Sequence, residues 1–214
     1  GKSTLIRTLD PKETFIINVV DKDLPYPGWT NDYNIQNKNI IATKSYNSIV
    51  TALQKIDKDM SHIKKVFIDD IGYVTNSELM DRAEEKNFDK YVELAQHMFY
   101  IVSAAKAMRN DIVVILAFHQ EDEEDQYQSA DIKIPGKMMK KYYHPAELST
   151  VCVFTHVEFD QDSEEEKYYL VVRKTRKYPL AKTPIGMFDS KMIDADLQKL
   201  LDRINEYNKL NVKQ

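Results

Sequence analysis

Apolar positions along the chain follow two alternating rhythms. Unbroken runs at residues 14–20 (TFIINVV), 64–70 (KKVFIDD) and 111–119 (DIVVILAFH) suit strands covered on both faces, and NIIAT at 39–43 suits a shorter strand. Between them the spacing is helical. Residues 45–60 place Ile49, Leu53, Ile56 and Met60 on one face, and residues 88–110 form the longest helical pattern in the chain. A helical stretch at residues 2–10 stops before Pro11, and residues 21–34 (DKDLPYPGWTNDYN) read as a turn-rich loop. Strands alternating with helices predict an α/β fold with a mostly parallel central sheet and crossover helices. After the acidic stretch QEDEEDQ, residues 136–143 read as a helix. Residues 149–159 and 167–175 then form a β-hairpin around DQDSEEE, and residues 194–210 close the chain as an amphipathic helix carrying Leu197, Leu200, Leu201, Ile204 and Tyr207.

Composition narrows the classes. The 214 residues are enough for one domain with a continuous core, so a single domain over 1–214 is expected. No apolar run reaches the roughly 18 residues of a membrane span, so no membrane partner is expected. The single cysteine, Cys152, can form no internal disulfide and no cysteine-rich metal site, which fits a reducing compartment and a cytoplasmic location. A net charge of -4 excludes a surface basic all round, so any nucleic-acid contact must be local.

Three short segments carry candidate chemistry. Gly1–Thr4 reads GKST, the second half of the phosphate-binding pattern G-x-x-x-x-G-K-[ST], whose amides cradle phosphates while Lys reaches them and the hydroxyl holds Mg²⁺. In VFIDD a hydrophobic strand ends in two carboxylates, the form of a Walker B motif. This assigns Asp69 to the metal and Asp70 to the attacking water, against the alternative of a solvated or helix-capping Asp70. His119 ends the next strand, where a polar side chain can sense the γ-phosphate; the alternatives are a satisfied strand-end histidine or a metal site with the acids that follow.

Together GKSTLIRTLDPKETFIIN, VFIDDIGYV, DIVVILAFHQE, IPGKMM and KTPIGMFDSKMIDADL resemble the phage-encoded AAA-family or RecA-like P-loop ATPases, a group that includes proposed single-strand annealing and recombination proteins. The resemblance implies ATP and Mg²⁺ as cofactors, with Lys2 on the phosphates, Ser3 and Asp69 on the metal, and Thr4 near the α-phosphate. It also implies that Lys2 and Asp69 converge on one magnesium-triphosphate. The first strand and the first half of the loop are missing from GKST onward, which leads to the expectation of a fragment with weak nucleotide affinity.

Arg173, Lys174, Arg176, Lys177 and Lys182 form a basic cluster that would reach ATP on a neighbouring subunit of a homo-oligomer or contact single-stranded DNA, the alternative being a charged edge strand. Gly136–Lys137 is no second phosphate loop, since no glycine lies five residues before it and the preceding residues are acidic. Residues 120–135 correspond to a mobile loop that touches DNA in RecA-like proteins, but Glu121 to Asp125 oppose that role. Lys133, Lys137, Lys140 and Lys141 offer compensation, and Tyr142 and Tyr143 are either stacking or core residues. Trp29 and Tyr33 belong to an adenine-stacking lid or to an ordinary covering loop. The functions in competition are an oligomeric Mg-ATPase of DNA recombination, annealing or replication, a nucleotide kinase, and a non-hydrolysing assembly module.

Overall fold

The computed structural model of the protein describes residues 1–134, 137–160 and 164–211. In chain order, a 3₁₀ helix at Ser3–Thr8 is followed by β1 (Thr14–Asn18), α1 (Trp29–Asp32), β2 (Ile40–Ala42), α2 (Tyr46–Asp59), β3 (Lys65–Asp69), α3 (Gly72–Asp81), α4 (Asp89–Lys106) and β4 (Val113–Leu116). Then come β5 (Gln120–Asp122), β6 (Ala130–Ile132), α5 (Lys137–Tyr142), α6 (Pro145–Leu148), β7 (Phe154–Asp160), β8 (Glu165–Val171), β9 (Met192–Asp194) and α7 (Leu197–Asn211). The chain divides into two compact units, one of Asp10–His119 with Lys133–Pro145, the other of Gly1–Leu9, Gln120–Ile132 and Ala146–Gln214.

The first unit holds a four-stranded, all-parallel sheet in the order β2-β1-β3-β4, flanked by helices. The unbroken apolar runs are explained by position: every residue of β1 and of β3 is buried. Register puts Asn18 opposite Asp69, so the two polar strand ends lie side by side. Ile49, Leu53 and Ile56 of α2 face the core as their spacing predicts, while Met60 ends the helix half-buried. Arg109 closes that end of α2, donating to the carbonyls of Ile56, Asp57, Met60 and Ile63.

In the second unit β7 and β8 form the expected antiparallel hairpin, and β9 adds a third strand that the apolar pattern does not announce. Cys152, read as part of the first hairpin strand, instead makes an isolated bridge to Lys182. α7 is the expected closing helix. The Oγ1 of Thr8 accepts from the amides of Leu197 and Gln198 and caps it from a distant part of the chain.

Several expectations need correction. The stretch at residues 2–10 is a six-residue 3₁₀ helix ending at Thr8, too short to accumulate the i to i+4 bonds of an α-helix before Pro11. The acidic stretch after His119 is not a plain loop, because Gln120–Asp122 pairs with Ala130–Ile132. Gly136 and the tip of the β7–β8 turn, residues 161–163, lie outside the described residues. Among the described residues no helix is long and apolar enough to cross a membrane.

Candidate functional site

In open α/β sheets, ligands bind beyond the carboxyl ends of parallel strands, where the loops leave the sheet. In the first unit that edge collects Asn18 from the end of β1, Asp69 and Asp70 from β3, and His119 after β4. Asp69 is fully buried and Asp70 nearly so. Asp70 has a φ of 55°, the left-handed region that costs an L-residue energy except where Asn, Asp or Gly relieves it. Such backbone strain persists where the surroundings over-determine it.

What holds Asp70 is a short relay from the neighbouring strands. The Asn18 Nδ2 donates to the carbonyl of Lys22 at 2.6 Å, anchoring the loop after β1. Lys22 then reaches across and pairs its ammonium with Oδ2 of Asp70. From the other side His119 brings Nε2 to 3.0 Å from Oδ1. Tyr73, in the first turn of α3, meets the His119 ring edge-on with centroids 5.6 Å apart. Burial works against the Lys22 ammonium, but the hydrogen bond to Asp70 and the charges of Asp69, Asp70 and Tyr73 outweigh it, so its pKa lies above the ordinary value. The segment returning after β6 is tied to the same edge, since the Lys133 amide donates to the His119 carbonyl at 2.8 Å.

Asp69, Asp70 and His119 are therefore gathered by one sheet edge, and the sequence anticipated all three. It missed Lys22, Asn18 and Tyr73. Lys22 sits in a polar loop where lysine signals nothing, and Asn18 is the one polar residue within the apolar stretch 15–20, the only signal on offer.

Most of the remaining predicted residues are in the second unit. Gly1, Lys2, Ser3 and Thr4 lie in the second unit, where Lys2 precedes the 3₁₀ helix with helical backbone angles and Ser3 is buried. Arg173, Lys174, Arg176 and Lys177 follow the end of β8 in a loop rather than on an edge strand, all four exposed. Arg173 donates to the Asp189 carbonyl, while Arg176 and Lys177 lie over the rings of Tyr127 and Tyr178. On β5, its flank and β6, Glu121, Glu123 and Asp131 bring carboxylate oxygens within 4.8 Å of one another, a charge that opposes a phosphate backbone there. Tyr33 is a core side chain, as a covering loop would have it.

A scan of protein-family models finds no match to the chain, and a search of curated proteins finds none either.

Proposed function

We propose that the chain is a magnesium-dependent ATP-binding and ATP-hydrolysing protein of P-loop type, acting in DNA recombination, single-strand annealing or replication. The observation that carries this reading is the meeting of Asp69, Asp70 and His119 beyond the carboxyl ends of adjacent parallel strands. The donor set suits the metal. Magnesium takes hard oxygen ligands, and beside the buried Asp69 the Asn18 Oδ1 is a buried amide oxygen with no hydrogen-bond partner. Asp69 and Asn18 would hold the ion, whose bound charge neutralises phosphate oxygens during transfer. Lys22 offsets the second carboxylate, so two adjacent acids need not both stand uncompensated, and the His119 Nε2 lies 3.0 Å from the Asp70 Oδ1. The roles of Gly1, Lys2, Ser3 and Thr4 rest on the sequence motif alone.

The Lys22–Asp70 pair also favours a second reading. An Asp70 whose Oδ2 is held by an ammonium is not free to engage an attacking water, so the site would bind nucleotide and switch without turnover.

Titration calorimetry with Mg-ATP, followed by phosphate-release assays with and without single-stranded DNA, tests both. Magnesium-dependent binding of ATP is the expected result. Asp69→Asn should abolish the magnesium-dependent part of binding and slow hydrolysis about a hundredfold. Binding without phosphate release selects the switching reading, and transfer to a nucleoside monophosphate would mark a kinase. No magnesium-dependent binding, or an Asp69→Asn variant that binds like the parent, overturns the assignment.

A further inference from the structure

The outer side of α4 breaks the usual rule for a solvent-facing helix. Phe99 and Tyr100 are 43% and 45% exposed, yet they belong to a line of five rings that touch in sequence. Tyr46, the first residue of α2, stacks on His97 with centroids 3.6 Å apart and planes 10° from parallel. Tyr46 also faces Tyr100 at 6.5 Å, Tyr100 meets Phe99 edge-on at 5.9 Å, and Phe99 meets Tyr143 at 4.9 Å. Both ends are fixed. The His97 Nδ1 lies 2.7 Å from Oε2 of Glu78, and Tyr143 shares a hydrogen bond with Ser103 of α4. Next to Tyr143, Tyr142 is 72% exposed with the Lys141 ammonium 5.1 Å from its ring centre.

Charge distinguishes this surface from an ordinary apolar patch. Residues 94–108 and 140–144 contain no Asp or Glu, while they carry Lys106, Lys140 and Lys141, and Glu93, one turn before His97, is paired with Arg82. Glu78, the carboxylate that reaches the ring line, is itself paired with Arg82. Flat rings held in place beside positive charge of a single sign are what a single strand of nucleic acid needs, bases stacking on the rings and phosphates meeting the ammoniums.

We propose that the line of rings Tyr46, His97, Tyr100, Phe99 and Tyr143, flanked by Lys106 and Lys141, binds single-stranded DNA. That the strand is DNA rather than RNA rests on the functional reading above; the surface itself does not depend on the nucleotide chemistry.

The test is fluorescence anisotropy of a labelled oligothymidylate with the full chain, without nucleotide, at about 50 and about 200 mM salt. Binding should weaken as salt rises. Tyr100→Ala combined with Phe99→Leu should weaken it about tenfold, and Lys141→Ala should lower the salt slope by about 0.7. Thermal melts accompany each variant, and if the ring variant unfolds, Lys141→Ala alone decides. Absence of binding, binding that these variants leave unchanged, or preference for oligouridylate overturns the proposal. So does a dimer in sedimentation that Tyr100→Ala dissociates, which would assign the face to protein contact. Because ATP is absent, failure here is separable from failure of the magnesium-dependent titration.

Discussion

Replacing Lys22 with methionine removes the cation paired with the buried carboxylate of Asp70 and keeps most of the stem. At hydrogen-bond distance and an effective dielectric of about 20, the pair attracts by about 5 kcal/mol. That figure is an upper limit. The Lys22 side chain is 41% exposed against 3% for Asp70, so water screens one partner, and His119 remains 3.0 Å away to share the load. A loss of about 1 to 2 kcal/mol at neutral pH is expected, well under the 3 to 5 of a fully buried pair, with a melting temperature lower by about 3 to 6 °C. The pH dependence gives a second reading of the same contact. The folded pKa of Lys22 lies above its ordinary value of 10.5, so its stabilisation is complete below that value and disappears as pH rises through the folded pKa. The variant should lack this alkaline component. Urea unfolding followed by far-ultraviolet circular dichroism, at neutral pH and across the lysine range, measures both. The double variant Lys22→Met with Asp70→Asn should recover part of the loss, since asparagine tolerates the φ of 55° without needing a cation. Parental stability in Lys22→Met, or no recovery in the double variant, would refute the relay.

Arg109→Lys should cost about 2 kcal/mol by urea unfolding although charge is conserved, because one ammonium cannot serve the four carbonyls that the guanidinium fork reaches. Partial burial pushes the Cys152 thiol up to about 11, so iodoacetamide at mildly alkaline pH should label the folded chain about a hundredfold more slowly than the unfolded one; equal rates would contradict a protonated thiol. Ile68→Ala, in the middle of the fully buried β3, should destabilise by about 2 to 5 kcal/mol, with a smaller loss indicating that the sheet can collapse onto the cavity.

The chain announced its parallel strands because burial on both faces leaves an unbroken apolar run, visible at β1 and β3 without any partner. The amphipathic faces of α2 and α7 were legible for the same local reason, and so was the β7–β8 hairpin. α3 was not. Its sequence GYVTNSELMD lacks a clear apolar stripe, so its helical state comes from packing on α4 rather than from pattern. The β5–β6 pairing was hidden beneath acidic residues that suggest solvent, and β9 is too short to show a period.

Asp69, Asp70 and His119 could be named in advance because each is polar at the end of an apolar run, a property of one segment at a time. That His119 and Lys22 clasp the same carboxylate follows only from the strand order β2-β1-β3-β4, which brings together side chains 48 residues apart. The left-handed backbone of Asp70 is decided there as well. Periodicity is local and survives in the letters, whereas strand order depends on long-range pairing free energies that no window of the sequence contains.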